Sequence, residues 1–395
     1  MKAGEAMLSA RLHGILRNTA CVLISFAILL SVTVPSVSAE PEPPGVSASA
    51  AILIEAESGT VVFEKNADEM RPMASTTKIM TGILALEAED PQTLVTVSPD
   101  AVGVEGSSIY LCRDEQLTME ELVYAVMLES ANDAAAAVAI HVAGSIDAFA
   151  ELMNRKAESL CMTRTHFCNP HGLDAADHYT TARDLATLAR YALENEEFRA
   201  VVSAKRRVIP LRGNDGARLL LNHNRLLRSY AGAIGVKTGF TKKSGRCLVS
   251  AAERDGIRLI AVTLNAPDDW RDHAAMLDYG FSRFRRVTLA QAYSISASVP
   301  VVGGVTDAVT VSNPDAISVT LPVGVKEPEP VLELRRFYYA PVIAGETLGR
   351  AVWYLDGEEI GSVPLVAEEG AEERIPEKKN IFRRFFDWLG GLFRK

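Results

Sequence analysis

The sequence predicts an α+β protein: a domain with helices packed on an antiparallel sheet, then a small all-β domain. Two observations carry this. Strand-like runs lie at both ends of the first part, with helical patterns between them, so distant strands must come together in one sheet. Past about residue 286 the pattern becomes short β-branched runs broken by Gly, Pro and Asn. The length of 395 residues, 48% apolar and 23% charged, suits two domains plus processing segments.

In chain order, Ala51-Ile52-Leu53-Ile54 and Val61-Val62-Phe63 flank the turn signal Glu57-Ser58-Gly59 and read as a β-hairpin. A helix is expected to begin near Ser75, with Ile79, Met80, Ile83, Leu84 and Leu86 on its apolar face. Thr118-Met119-Glu120-Glu121 resembles a capped helix start, leading through Leu122, Val123, Val126 and Met127 toward Ser130. Residues 131–143 form an alanine-rich helix built for close packing, and residues 149–160 and 181–193 are amphipathic. Asn169-Pro170-His171-Gly172 is a turn. Residues 236–238, 247–251 and 259–264 read as strands, with Asp255-Gly256 as the hairpin turn between the last two. A helix over 271–284 closes the domain. The expected boundaries are 40–285 for the first domain and 286–377 for the β-rich one.

The two ends have their own character. Lys2, Arg11 and Arg17 precede an apolar run from Ala20 to Val34, and Val37-Ser38-Ala39 offers small residues at a cleavage position. Residues 1–39 therefore read as a secretory signal peptide; the apolar run is short for the alternative, an uncleaved anchor. Residues 378–395 combine Phe382, Phe385, Phe386, Trp388 and Leu389 with Lys378, Lys379, Arg383 and Arg384. An amphipathic helix lying on an anionic membrane fits this pattern, with packing against protein as the alternative. The formal net charge of −9 becomes more negative once residues 1–39 are removed, which argues against nucleic acid as the partner. Cys112, Cys161, Cys168 and Cys247 remain after removal, with no zinc-like spacing; export permits a disulfide, and Cys161 and Cys168 are near enough in sequence to form one.

Three short motifs carry the chemistry. In Ser75-Thr76-Thr77-Lys78 the serine and lysine are three apart, on one face of a helix and within reach of each other. Serine needs an adjacent base, and lysine serves as one when burial and a second cation, here Lys237, lower its proton affinity. Ser130-Ala131-Asn132 offers a proton relay and an amide for holding a carbonyl and orienting Lys78; it is equally a helix cap. Lys237-Thr238-Gly239 on a strand supplies a cation, a hydroxyl and a glycine that admits close backbone approach. A peptide could pair with that strand edge, its terminal carboxylate on Lys237 and Thr238 and its oxyanion on the backbone N–H groups of Ser75 and Phe240. The first two motifs recur by chance; the third is rarer, and the order of all three is the stronger signal.

On these motifs, with Gly106-Ser107-Ser108, Ser130-Ala131-Asn132-Asp133-Ala134, Asn169-Pro170-His171-Gly172-Leu173 and Gly235-Val236-Lys237-Thr238-Gly239-Phe240-Thr241, the chain resembles the low-molecular-weight penicillin-binding proteins. These are the serine-type D-alanyl-D-alanine carboxypeptidases of peptidase family S11, and the resemblance spans about residues 45–377. It implies a penicillin-binding, β-lactamase-like transpeptidase fold followed by the β domain. It implies that Ser75 attacks the penultimate D-alanine of peptidoglycan stem peptides, Lys78 is the base, and Ser130 passes the proton to the leaving D-alanine. Asn132, Lys237, Thr238, Gly239 and Phe240 would bind substrate. β-Lactams would acylate Ser75, no metal or cofactor is needed, and residues 378–395 would hold the exported enzyme on the outer face of the cytoplasmic membrane. Ala131 stands where the family usually has glycine, and its methyl is expected to crowd the pocket slightly.

His171, in a Pro-Gly turn, reads as structural, and Glu194-Asn195-Glu196-Glu197 as a solvated charge run, not a deacylating glutamate. Two rivals stay open at this point, a β-lactamase and a non-catalytic penicillin- or wall-binding scaffold.

Overall fold

The computed structural model describes residues 42–212 and 216–375; the expected leader (1–39) and the amphipathic segment (378–395) lie outside them. Strands β1 (Ala50–Glu55) and β2 (Val61–Lys65) form the first hairpin. A 3₁₀ turn over Ala74–Thr77 feeds helix α1 (Lys78–Ala88), so the helix expected to begin near Ser75 begins at Lys78. Short strands β3 (Leu94–Thr96) and β4 (Gln116–Thr118) precede α2 (Met119–Tyr124). The capping box at its start is complete: Thr118 Oγ1 accepts from Glu121 N–H and Glu121 accepts from Thr118 N–H. This helix stays regular only to Tyr124; Ala125–Glu129 widens into a π turn that ends on Ser130 in the left-handed region.

Helices α3 (Asn132–Ala143), α4 (Ile146–Ser159), α5 (Ala182–Glu194) and α6 (Glu196–Ser203) follow. A hairpin of β5 (Arg206–Pro210) and β6 (Ala217–Leu221) and the single turn α7 (Leu226–Ser229) come next. Neither α6 nor this hairpin was legible in the sequence. The polar run at 194–197 is the α5–α6 junction, where Asn195 Oδ1 caps α6 by accepting from Phe198 N–H.

Three long strands, β7 (Ala233–Thr241), β8 (Gly245–Arg254) and β9 (Ile257–Leu264), then complete the main sheet in the order β2-β1-β9-β8-β7, antiparallel throughout. Its N-terminal and C-terminal strands meet at the centre, β1 against β9, as the fold class requires. Strand β7 is an edge. One face of the sheet packs on the helices through Ile52, Ile260 and Val262; the other receives helix α8 (Asp269–Arg283) over Leu53 and Leu259.

The remaining described residues are β-rich. Strands β10 (Phe284–Ala290), β11 (Ser296–Val302), β12 (Ala308–Ser312), β13 (Ile317–Pro322), β14 (Val331–Leu334), β15 (Tyr338–Tyr339), β16 (Thr347–Leu355) and β17 (Glu358–Ala367) make a β10–β13 ribbon and a six-stranded sheet ordered β14-β16-β17-β12-β11-β15. Their core gathers Val299, Val311, Trp353 and Leu365. Cys112, Cys161, Cys168 and Cys247 are all free thiols. No single helix among the described residues is long and apolar enough to cross a membrane.

Candidate active site

Ser75 sits on the 3₁₀ turn, held from several sides. Ala74 takes a left-handed φ of 47°, a strained value for alanine that turns the chain sharply before the serine. Thr76 Oγ1 donates to Met73 O at 2.6 Å and Thr77 Oγ1 donates to Ala74 O at 2.8 Å. Behind them, Cys168 N–H donates to His178 Nδ1, so the ring proton is on Nε2 and donates to Thr77 Oγ1 at 2.8 Å. Burial lowers the pKa of His178 to about 4, so this imidazole stays neutral and the arrangement is fixed at physiological pH.

Lys78 opens α1 and is fully buried. Its Nζ lies 3.1 Å from Ser75 Oγ, 2.6 Å from Asn132 Oδ1 and 2.5 Å from the carbonyl oxygen of His171. Burial, and then repulsion from Lys237, push its pKa well below the usual lysine value, with Asp133 opposing weakly. Lys237, also buried, donates to Thr238 O at 3.0 Å, and burial brings its pKa down to about 7. The pair is thus arranged so that one amine is available as a base while the other can carry a charge.

Asn132 is the first residue of α3. Its N–H donates to Ser107 O, and its amide nitrogen donates to Glu105 O, so its oxygen is left to face Lys78. Asp133 pins the loop beside it, accepting from Ser108 Oγ at 2.6 Å and from the N–H groups of Ile109, Leu111 and Ala134. Ser130 has a φ of 59°, and its hydroxyl makes no hydrogen bond to any described residue, which leaves it to the cavity it lines. Ala131 is fully buried in the core and does not line that cavity, so the expected crowding by its methyl is not found.

The cavity has a volume of about 370 Å³ and brings Ser75, Ser130, Thr238, Gly239 and Phe240 together, with Lys78, Asn132 and Lys237 immediately behind. A β-carbon on Gly239 would lie 3.1 Å from both Ser75 N and Thr76 N, so glycine keeps open the space beside the backbone of Ser75. Gly172 is equally constrained: with φ +87°, a β-carbon there would lie 2.0 Å from Ala74 O. Its turn brings the His171 carbonyl to Lys78, while Asn169 bridges the turn from Gly172 N–H to Leu173 O.

Some of the site was missed from sequence. His171 contributes its carbonyl; its ring, with a pKa brought to about 3 by burial and the nearby Lys78 charge, accepts from Leu173 N–H. Ser107, His223, Arg225, Arg246, Asp269 and Trp270 also line the cavity. Arg246 lies opposite Phe240 on β8, bonds Asp269 at 2.9 Å and stacks near the Trp270 ring. These come from loops and cross-strand pairs that no short motif announces. Among the described residues no group of His, Cys, Asp and Glu could hold a metal ion.

A buried lysine against a serine, an amide that holds the lysine, a second serine and a cationic edge strand define an acyl-transferring serine enzyme of the penicillin-binding fold. The family model for D-alanyl-D-alanine carboxypeptidase (peptidase family S11) matches residues 37–268, and that for the penicillin-binding protein 5 C-terminal domain matches residues 284–373. The chain belongs to the D-alanyl-D-alanine carboxypeptidase family. It is 33% identical to the D-alanyl-D-alanine carboxypeptidase DacF of Bacillus subtilis, over 82% of this chain and 85% of that one. It is 32% identical to DacC of Escherichia coli, over 93% and 96%. The crystal structure of the carboxypeptidase DacD from Francisella tularensis superposes with a TM-score of 0.61 at 29% identity, covering 85% of this chain and 96% of that one. The family is one of serine-type carboxypeptidases acting on peptidoglycan, and inhibition by β-lactams is general to it.

Proposed function

We propose that this chain removes the terminal D-alanine from peptidoglycan pentapeptide stems through an acyl-Ser75 intermediate. The observation that carries the proposal is the 3.1 Å contact between Ser75 Oγ and the Nζ of a fully buried Lys78. Neutral Lys78 takes the Ser75 proton as Oγ bonds to the carbonyl carbon of the penultimate residue. The N–H groups of Ser75 and Phe240 receive the oxyanion. The C–N bond then breaks, the leaving amine takes a proton through Ser130, and water hydrolyses the ester to free Ser75. Lys237 and Thr238 hold the substrate carboxylate, and Gly239 lets the peptide lie against the strand. A β-lactam would enter the same path and stop at the acyl-enzyme.

We read residues 40–285 as the catalytic domain and 286–377 as a β-rich domain, residues 1–39 as a leader removed on export, and residues 378–395 as a tether to the outer face of the cytoplasmic membrane. The deciding experiment is release of free D-alanine from a pentapeptide, paired with mass spectrometry of the penicillin-labelled peptide. Release by the wild type, none by Ser75→Ala, and a label on Ser75 support the proposal. Binding of stem peptide without release would make the chain a scaffold, and rapid turnover of benzylpenicillin would make it a β-lactamase.

A further inference from the structure

The β-rich part carries an apolar edge that its own fold leaves uncovered. Three separate segments build it. Strand β15 runs parallel to the end of β11, setting Tyr339 beside Val302, and Phe337 packs edge-on against Tyr339 with ring centroids 5.4 Å apart. The next segment bonds back through Val305 N–H to Glu372 O and Arg374 N–H to Gly303 O. Val342 and Ala371 exchange two backbone hydrogen bonds, which fixes Ile343 alongside. These backbone bonds join three segments that expose Val302, Val305, Phe337, Tyr339, Ile343 and Ile375, of which Tyr339 is 70%, Ile343 69% and Ile375 85% exposed. Scattered exposed apolar residues are ordinary, but six large ones on three segments joined by backbone hydrogen bonds make this edge apolar.

We propose that this edge is a membrane-contact surface that rests directly on a lipid bilayer. Its position argues for that occupant. The described chain leaves the edge at Ile375, three residues before the segment that begins at Lys378, whose Phe, Trp, Lys and Arg content suits an anionic interface. A tether there brings the edge to the lipid surface. The edge's own charges are Arg335, Arg336 and Arg374 against Asp307, Glu346, Glu372 and Glu373, with Glu346 accepting from Ile343 N–H, so they give no attraction to an anionic surface and the edge's share of the binding comes from apolar burial. The tether's share comes from basic residues and is screened by salt. Tyr339 is of a residue type that anchors at the headgroup level, and Phe337 of one that buries at the headgroup/acyl boundary. With two contacts in place of one, the β-rich part is held in one orientation on the bilayer.

This inference rests on the tethering proposed above, and the test separates the two. The chain from residue 40 onward is mixed with vesicles of phosphatidylethanolamine and phosphatidylglycerol, in about a 3:1 ratio. Partition is measured for the wild type, a Val305→Ser/Tyr339→Ser/Ile343→Ser variant and a chain cut after residue 375. Hydrogen exchange is followed over residues 302–305 and 337–343. The expected result is about five- to tenfold weaker partition for the triple variant, unchanged by salt, with vesicle-dependent protection of both segments in the wild type. Thermal melting and D-alanine release should match the wild type. If the cut abolishes partition while the triple variant binds as wild type and neither segment is protected, the tether stands and the edge proposal falls. If the triple variant weakens binding while the cut does not, the edge stands and the tether falls. Protection without vesicles that disappears on cutting the tail would mean that the tail covers the edge, and protection that follows protein concentration would mean a second copy; either result overturns the proposal.

Discussion

The two halves of this molecule bury different things. Up to α8, the interior holds Lys78, Lys237, Asn132, Asp133, His178 and His273 among its apolar residues. Beyond residue 284, the buried polar side chains among those described are Ser312 and Asn313, and the interior is built on Trp353 with valines and leucines. Both halves fold, but only one sets ionisable groups in a medium that disfavours their charge. That is where a serine hydroxyl can meet an amine free to take its proton. The difference predicts that substitutions in the first half change chemistry more than stability, and that those in the second do the reverse.

Lys78→Met is the severest test. The side chains are similar in length, and the variant removes a charge that burial disfavours, so folding should hold or improve. Acylation by benzylpenicillin and D-alanine release should both fall by about 10³-fold or more. A variant that melts early would mean that Lys78 is mainly a strut for Asn132 and the His171 carbonyl. Gly239→Ala should come next, at about 10²-fold in kcat/KM with little change in melting. Its methyl would stand 3.1 Å from Ser75 N and crowd the backbone whose N–H must receive the oxyanion. In the β half, Trp353→Ala should cost about 3–5 kcal/mol in denaturant unfolding of that part, while D-alanine release at low temperature stays within about twofold of the wild type. Loss of activity there would show that the halves are coupled.

The sequence revealed most of the first half because its chemistry is local. Ser75 and Lys78 share one turn, Lys237 to Phe240 share one strand, and Thr118 with Glu121 announces a helix start. What it hid is assembled at long range. The His171 carbonyl reaches Lys78 across 93 residues, and backbone carbonyls leave no trace in residue identity. Arg246 and Trp270 reach the cavity through β-pairing and the start of α8, which only the folded register decides. The β5–β6 hairpin escaped because Arg206, Arg207 and Arg218 interrupt the usual strand composition; Arg207 stacks on Tyr124 and Arg218 pairs with Glu115, so tertiary contacts replace propensity. The apolar face of Leu122 to Met127 looked like one helix, since periodicity cannot tell an α turn from the π turn that delivers Ser130.

The mildest effect concerns what the first half gives up for its chemistry. Burial holds Lys237 at about 7 in the folded protein, against the ordinary lysine value near 10.5 in the unfolded chain. Between those values the unfolded chain binds a proton that the folded one lacks, so stability rises as pH increases through this window. The penalty is greatest below about pH 7, where both states are protonated, and disappears near pH 10.5. Lys237→Met removes the titrating group. It should therefore be more stable than the wild type at pH 7, by about 1 kcal/mol or more in urea unfolding, and the gap should narrow steadily toward pH 10. Substrate binding should be lost in the same variant, since the carboxylate has lost its cation. A gap that stays constant with pH would mean that the variant gains through packing alone. In that case the contrast between the two interiors would be one of residue type and not of buried charge.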